Sequence, residues 1–219
     1  ETGMKYQWIF FDLDGTLTDP AVGITGGVMY ALEQFGIHES SREKLYPFIG
    51  PVLTESFRKY YGFTKEQALL AAGYYREYYG KTGKFENVVY DGIADMLREL
   101  RAAGKELFVA TLKGEAFAKE ILEHFGLAGY FTEIAGQVMD GLETPKSQII
   151  MEILKKRGID HQGRAVMVGD REQDIIAARE AGILEIGVLY GYGERAELES
   201  VHAKRMAADV RELWEELLR

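Results

Sequence analysis

Short apolar runs alternate with amphipathic helical segments along most of the chain. The runs have the length of buried strands and lie at residues 8–11, 107–111, 133–135, 165–168 and 186–189. The main amphipathic segments lie at residues 93–103, 116–125, 146–157 and 173–181. Strands and helices that alternate in this way form βαβ units, in which helices cover both faces of a parallel sheet. The pattern predicts an α/β fold with a doubly wound parallel sheet.

Residues 18–84 depart from this alternation, because they show helical patterns and no strand. Their three apolar stripes consist of Val28, Leu32 and Phe35, of Leu53, Phe57, Tyr60 and Tyr61, and of residues 68–79. At the other end of the chain, Asp209 is a predicted N-cap for a last helix whose apolar stripe includes Leu213 and Leu217. The pattern predicts a small all-helical module inserted after the first strand.

The composition is that of an ordinary globular enzyme and limits the possible chemistry. Of 219 residues, 47% are hydrophobic and 28% are charged, which suits one good-sized core with a small added module. The absence of cysteine excludes disulfides, thiolate catalysis and cysteine metal ligands. A net charge of −9 argues against a nucleic-acid polymer or an anionic membrane as a partner. An anionic small substrate stays compatible with this charge, since a bound divalent cation reverses the field locally.

The first apolar run leads into two carboxylates. Asp12 follows the run directly, Asp14 comes two residues later, and Gly15 then breaks the strand geometry. Residues i and i+2 of a strand point the same way, so we expect both carboxylates on one face of a crevice. Two close carboxylates repel each other unless a cation or a shared proton relieves them. The pair suits a metal site or a nucleophile with an acid partner; the alternative is a simple turn after a strand.

Four later polar residues also lie at or just after the end of an apolar run, or at the start of a helical segment. Thr111 closes the second run, Lys146 begins a helical segment, and Asp170 and Asp174 follow the fourth run. Each has a structural explanation when taken singly, because such residues also close strands, face solvent or cap helices. The carboxyl ends of parallel strands, however, meet in the crevice where such folds bind ligands. We therefore expect carboxylates at this edge to belong to a site.

Four features of the chain resemble, in order, the four motifs of the haloacid dehalogenase (HAD) superfamily phosphatases. They are the segment Asp-Leu-Asp-Gly-Thr, Thr111, Lys146 and the segment Gly-Asp-Arg-Glu-Gln-Asp. The resemblance is to the phosphoglycolate-phosphatase-like subgroup. It implies a Rossmann-like core with strand order 5-4-1-2-3 and a helical cap. The core is expected at residues 4–17 and 85–219 and the cap at 18–84. Residues 1–3 precede Met4 and are interpreted as a cloning remnant.

The resemblance also implies roles for the site residues. Asp12 is the expected nucleophile, and Asp14 the expected acid and base. Thr111 is expected to hold a phosphoryl oxygen, and Lys146 to balance the charge, with Lys113 as the rival lysine. The expected Mg²⁺ ligands are Asp12, the backbone carbonyl of Asp14, Asp170 and Asp174. The expected substrate-binding residues are Thr16, Leu112, Gly50 and Pro51. Leu112 stands where many relatives have Ser or Asn, so a backbone N–H is kept there and a polar side chain is lost.

The function implied by the resemblance is Mg²⁺-dependent hydrolysis of a phosphomonoester through an aspartyl-phosphate. The candidate substrates are phosphoglycolate, a sugar phosphate or a nucleoside 5′-monophosphate. One alternative is a phosphosugar mutase of the β-phosphoglucomutase type, although Ile24 stands where such mutases carry a histidine. Another is a catalytically idle scaffold that binds a phosphorylated ligand. A dehalogenase is disfavoured by Asp14 and the acids at 170 and 174.

The remaining expectations concern partners and location. The expected partner is a small phosphorylated metabolite, with no nucleic-acid polymer and no membrane. We expect a monomer or a homodimer. No apolar run approaches the roughly 20 residues of a membrane span, and nothing after Met4 resembles a signal peptide, so a cytoplasmic enzyme is expected. The tyrosines of the cap are expected to pack against one another, with stacking on a base or a sugar as the alternative.

Overall fold

The computed structural model describes residues 3–138 and 142–219, and these form two compact units. The first unit comprises the described residues up to Thr18 together with those of Val89–Arg219, and the second comprises Asp19–Val88. Two residues of the expected cloning remnant, Glu1 and Thr2, lie outside the described residues. Among the helices within the described ranges, none has both the length and the apolar character of a membrane span.

The first unit is built on a sheet of six parallel strands. These strands are β1 (Trp8–Phe11), β4 (Glu106–Gly114), β5 (Glu133–Gln137), β6 (Ala165–Gly169), β7 (Leu184–Val188) and β8 (Met206–Ala207). Their order in the sheet is β5-β4-β1-β6-β7-β8. When the five predicted strands are numbered in chain order and the sheet is read from β7 to β5, this is the expected order 5-4-1-2-3, so the fold prediction is confirmed. The edge strand β8 was missed, because two residues are too few to show a periodic pattern.

Helices connect these strands and cover the sheet. They are α4 (Ile93–Ala102), α5 (Glu115–His124), α6 (Lys146–Lys156), α7 (Glu172–Glu180), α8 (Arg195–Ser200) and α9 (Val210–Leu217). Four of them match the predicted amphipathic segments to within one residue at each end. Helix α9 begins as predicted, because the Asp209 carboxylate accepts a hydrogen bond from the backbone N–H of Glu212.

The central strand β1 carries the core of this unit. Phe10 lies opposite Phe108 of β4 and Met167 of β6, and the two phenylalanine rings stack with centroids 4.7 Å apart. These side chains belong to one buried cluster with apolar residues of α6 and α7, including Ile150 and Ala178. The neighbouring positions of β1 point to the other face of the sheet, as strand alternation requires. Strand β1 is therefore fixed from both sides, and so is the position of the residues that follow it.

The second unit contains three helices, α1 (Ala21–Glu33), α2 (Leu53–Tyr61) and α3 (Lys65–Lys81), and 3₁₀ turns at Glu43–Phe48 and Gly83–Phe85. Helix α1 packs closely on α3 because it carries glycine at the contact: a Cβ at Gly27 would lie 2.7 Å from the ring of Tyr75. Helix α3 begins at a capping box, in which Thr64 and Gln67 each accept a hydrogen bond from the other's backbone N–H.

Aromatic side chains fill the interior of this second unit. The ring of Phe57 contacts those of Phe48 and Phe63, with centroids 5.1 and 5.7 Å apart. Tyr75 and Tyr79 are buried and stack on each other at 5.1 Å. Of the tyrosines that were expected to pack against one another, at least Tyr75 and Tyr79 do so.

The structure also has a separate sheet of two short strands. It consists of β2 (Thr18–Asp19) and β3 (Val88–Val89). The expectation that residues 18–84 contain no strand is wrong at Thr18–Asp19, since a two-residue strand leaves no alternation in the sequence.

Candidate active site

Three aspartates meet at the carboxyl end of the central strands. Strand β1 ends at Phe11, and the backbone N–H of Asp12 still donates to the carbonyl of Val168 in β6 at 2.9 Å. Strand β6 ends one residue before Asp170, and Asp174 lies in the first turn of α7. One carboxylate oxygen from each aspartate falls within 4.8 Å of the others, and all three side chains are buried. The topology thus brings together acids that are far apart in the sequence.

A buried lysine joins two of these acids. Lys146 begins α6, directly after Pro145, and its ammonium lies 3.1 Å from Oδ1 of Asp12 and also bonds Oδ1 of Asp174. Its side chain is 4% exposed. The backbone N–H of Leu13 donates to the same oxygen of Asp12 at 2.8 Å. Within the described residues, both hydrogen bonds to the Asp12 carboxylate therefore go to Oδ1.

The third acid, Asp170, has its own donors. Its Oδ1 accepts a long hydrogen bond of 3.4 Å from the hydroxyl of Thr16, and its Oδ2 accepts one of 2.8 Å from the backbone N–H of Tyr192. Space for this carboxylate depends on glycine, because a Cβ at Gly15 would lie 2.2 Å from Oδ2 of Asp170. Gly15 also has a positive φ of 83°. This is the physical reason for a glycine directly after Asp14.

The pKa values of the site reflect burial first and crowded negative charge second. Burial raises the pKa of Asp12 well above its usual value; Asp174 raises it further, and Lys146 opposes the rise. Burial and the charge of Asp174 likewise raise the pKa of Asp170, to about 7. Burial by itself would lower the pKa of Lys146, but its two aspartate partners outweigh burial and raise it. One ammonium is therefore too little to balance the carboxylates.

This arrangement fits a hard divalent cation. Carboxylate oxygens are the ligands that Mg²⁺ prefers, and a cation would offset the repulsion that, after burial, raises the pKa values of Asp12 and Asp170. Asp12, Asp170 and Asp174 are therefore the residues that could hold the metal. The carboxylate of Asp14 is not one of this group and has a different partner.

Asp14 is paired with the second lysine considered from the sequence. Its Oδ2 lies 3.1 Å from the ammonium of Lys113, and both side chains are 7% exposed. Lys113 also donates its backbone N–H to the hydroxyl of Thr111 at 3.1 Å. From the sequence, Lys113 and Lys146 are rivals for one role; in the structure they serve different carboxylates.

The loop that follows β7 also contacts the site, although no role was predicted for it from the sequence. The hydroxyl of Tyr190 donates to the carbonyl of Thr16 at 2.7 Å, and Tyr192 binds Asp170 as described above. A Cβ at Gly191 would lie 2.2 Å from the carbonyl oxygen of Gly15, and a Cβ at Gly193 would lie 1.7 Å from that of Asp170. The alternation of glycine and tyrosine from 190 to 193 was the available signal, since glycine at alternate positions allows close backbone approach.

Arg171 forms an ion pair close to the site. Its guanidinium binds the carboxylate of Glu197 in α8, with its Nε 2.9 Å from Oε2. This pair ties α8 to the residue directly before α7. No role was predicted for Arg171 from the sequence.

The other predicted substrate-binding residues are more dispersed. Thr16 lies beside Asp170, and Leu112 lies in β4 directly after Thr111. Gly50 and Pro51 lie in the second unit, between the 3₁₀ turn at Glu43–Phe48 and α2, and Gly50 has a φ of 112°. The roles of these residues remain predictions.

Comparison with known proteins agrees with this fold and site. Residues 9–188 match the family model of the haloacid dehalogenase-like hydrolases. A 5′-nucleotidase of Pseudomonas aeruginosa is 40% identical over 210 residues, which are 96% of this chain and 95% of that protein. The tyrosine-protein kinase PtkA of Mycobacterium tuberculosis is 38% identical over 87% of this chain, but the match covers 65% of the kinase. A phosphoglycolate phosphatase of Vibrio parahaemolyticus is 28% identical over 98% of this chain and 97% of that protein.

A solved structure shows the same architecture. The crystal structure of a predicted phosphatase from Clostridium acetobutylicum superposes with a TM-score of 0.93 at 44% identity, and the match covers 97% of this chain and 98% of that one. The parallel sheet and the buried acids at its carboxyl edge agree with a hydrolase of the HAD type. The chain belongs to the haloacid dehalogenase-like hydrolase family. The prediction of a phosphatase is confirmed at the level of enzyme class.

Proposed function

We propose that this protein hydrolyses phosphomonoesters with Mg²⁺ bound, through an aspartyl-phosphate on Asp12. The observation that carries the proposal is the environment of Asp12: a buried carboxylate at the end of the central strand, beside two further acids and one lysine. Its Oδ1 is held by Leu13 and Lys146, which leaves Oδ2 as the attacking oxygen. A carboxylate that attacks phosphorus divides the hydrolysis into two easier displacements.

The first displacement forms the covalent intermediate. Oδ2 of Asp12 forms a bond to phosphorus as the bond between phosphorus and the ester oxygen breaks. Asp14, two residues away, donates a proton to the departing oxygen. The hydroxyl of Thr111 and nearby backbone N–H groups are suited to hold a phosphoryl oxygen.

The second displacement returns the enzyme to its starting state. Asp14, now a carboxylate, takes a proton from a water molecule whose oxygen attacks phosphorus. The bond between phosphorus and Asp12 breaks, and inorganic phosphate leaves. Lys146 keeps Asp12 fixed during both steps and balances part of its charge. The metal, held by Asp12, Asp170 and Asp174 with the carbonyl of Asp14, would neutralise charge on the phosphoryl group.

Among the candidate substrates, we place nucleoside 5′-monophosphates first. The support is the likeness, over nearly the whole of both chains, to a protein named 5′-nucleotidase. Phosphoglycolate follows, because more distant relatives are named for it. Phosphotyrosine belongs in the test as well, since another relative is named a tyrosine kinase.

The experiment measures phosphate release from a panel of esters with Mg²⁺ or with EDTA. The panel contains nucleoside 5′-monophosphates, phosphoglycolate, a hexose phosphate and phosphotyrosine. We expect Mg²⁺-dependent release that is greatest for a nucleotide. Asp12→Asn should lower it at least about 1,000-fold, because the nucleophile is lost while the shape is kept. The matched control is Asp95→Asn, which alters an exposed aspartate on α4 that pairs with Arg98.

Three outcomes would contradict parts of the proposal. Full activity of Asp12→Asn would remove Asp12 as the nucleophile. Phosphate release that is unchanged by EDTA would show that the reaction needs no metal. No release from any ester, with the wild-type protein folded, would favour the idle scaffold.

A further inference from the structure

Strand β4 does not end at Thr111 but continues to Gly114 through a change of register. Ala110 lies opposite Ala135 of β5, whereas Gly114 lies opposite Gln137. Strand β4 thus advances four residues while β5 advances two. Such a bulge bends the strand locally and redirects its side chains, and bulges are frequent next to active sites.

Three contacts hold the bulge in place. The hydroxyl of Thr111 accepts the backbone N–H of Lys113 at 3.1 Å. On the neighbouring strand, a Cβ at Gly136 would lie 2.5 Å from the carbonyl oxygen of Lys113, so the two backbones approach more closely than another residue would allow. The backbone N–H of Gly136 also donates to Glu115, directly after the bulge, at 3.3 Å. The position of Lys113 is therefore built into the sheet.

This position brings the ammonium of Lys113 to one oxygen of Asp14. The distance from Nζ to Oδ2 is 3.1 Å, and both side chains are almost fully buried. The other oxygen, Oδ1, is also buried, and no donor from the described residues reaches it. A buried carboxylate oxygen without a donor is costly, so it points to a partner that the chain itself does not supply.

We propose that Lys113 is a positioning residue for Asp14, holding Oδ2 so that Oδ1 is presented to the leaving oxygen of the substrate. The proposal rests on the proposed function, in which Asp14 is the acid. It separates the two lysines of the site: Lys146 serves the nucleophile, and Lys113 serves proton transfer. Lys113 acts through Asp14 and needs no contact with the reacting atoms.

A competing explanation is that Lys113 only balances charge around the acids. The two explanations differ in their dependence on the leaving group. A poor leaving group needs a proton as it departs, whereas p-nitrophenolate leaves without one. A loss of acid positioning therefore harms poor leaving groups selectively, while a loss of general charge balance harms all esters alike.

The experiment compares kcat/KM for p-nitrophenyl, phenyl and p-methoxyphenyl phosphate, which differ little in size. This quantity covers the steps up to departure of the leaving group and is independent of the later hydrolysis. Lys113→Met, which keeps the length and removes the charge, should lower it about 10- to 100-fold for the p-methoxyphenyl ester. The loss for the p-nitrophenyl ester should be less than about threefold. Lys156→Met, at an exposed lysine of α6, is the control and should leave all three values unchanged.

The variant Asp14→Asn distinguishes failure of the role of Lys113 from failure of the acid role of Asp14. If it shows the selective loss and Lys113→Met does not, the role of Lys113 is overturned and the proposed function stands. If Asp14→Asn lowers all esters equally, the acid role of Asp14 fails and the role of Lys113 fails with it. If the wild-type enzyme hydrolyses none of the esters, the proposed function itself fails.

A second variant covers the case in which Lys113→Met does not fold. Gly136→Ala keeps the ammonium but forces the backbone at Lys113 to move, and it should show the same selective loss in weaker form. Unchanged selectivity, with a cooperative thermal transition, would overturn the proposal.

Discussion

Lys146 is the countercharge for two acids at once, and because it is buried, its loss should cost more stability than the loss of a surface lysine. Among the described residues, its ammonium pairs with the carboxylates of Asp12 and Asp174, and its side chain is 4% exposed. Removing one member of a buried ion pair leaves an uncompensated charge, which typically costs about 3–5 kcal/mol. A surface pair usually contributes less than about 1 kcal/mol. The same residue type should therefore have very different effects in different places on α6.

Two lysines of α6 allow a matched test. Lys146→Met should lower the free energy of unfolding by about 3 kcal/mol or more in EDTA, because its aspartates stay buried without a countercharge. Lys156→Met should lower it by less than about 1 kcal/mol, since Lys156 pairs with Glu133 at the surface with 68% of its side chain exposed. Urea unfolding at one pH measures both. Equal losses for the two variants would show that Lys146 is not a structural countercharge.

At the scale of elements, the loop from Tyr190 to Gly193 completes the site from outside the four motifs. It donates one hydrogen bond to Thr16 and one to Asp170, and its glycines pass close to the backbone of both segments. Groups that orient metal ligands typically affect metal affinity by about 10- to 100-fold. The loop should therefore set how well the acids hold a cation.

Gly193→Ala tests the loop. A Cβ there would lie 1.7 Å from the carbonyl oxygen of Asp170, so the loop must shift and its bond to the Asp170 carboxylate should weaken. We expect the Mg²⁺ concentration for half-maximal activity to rise about 10-fold or more. Gly129→Ala is the control, because a Cβ at Gly129 has no atom within 4 Å. An unchanged Mg²⁺ requirement in Gly193→Ala would assign the loop no part in metal binding.

Much of the sheet and many site residues could be predicted from the sequence for the same reason. Long apolar runs and amphipathic segments have a period that the sequence displays, and the ends of the apolar runs then locate Asp12, Thr111 and Asp170. The missed parts depend on three-dimensional contacts. The pairing of Lys113 with Asp14 requires a bulge in β4, which leaves no periodic mark. The role of the loop at 190–193 depends on close backbone approaches between segments distant in the chain.

At the scale of the whole molecule, the buried acids make stability depend on pH in an unusual direction. The folded protein has a raised pKa at Asp12 and at Asp170, the latter about 7. Between the unfolded value of 3.8 and the folded value, the native state binds protons that the unfolded state has lost. Stability contributed by this proton binding therefore falls as pH rises through that range and stays low above it. A bound cation should remove this penalty.

Thermal unfolding with EDTA or Mg²⁺ measures this linkage. Without metal, we expect the melting temperature to fall between about pH 5 and pH 8. Glu133 and Glu216, whose pKa values are lowered, change their contribution below pH 4.5 and so outside this window. Mg²⁺ should raise the melting temperature more at pH 8 than at pH 5, because protons compete with the cation. A stabilisation of equal size at both pH values would argue against metal binding by these acids.

The order of the strands also has a consequence for synthesis on the ribosome. The second unit is one continuous segment, Asp19–Val88, whereas the first unit has its central strand at the start of the chain. Strand β1 needs β4 on one side and β6 on the other, and Trp8 pairs with Ala165. At about 5–20 residues per second, β1 waits roughly 8–30 s for its second neighbour to be made. The nascent chain therefore exposes this apolar strand, together with the proposed nucleophile that follows it, throughout that interval, although all residues of the second unit have been made by then.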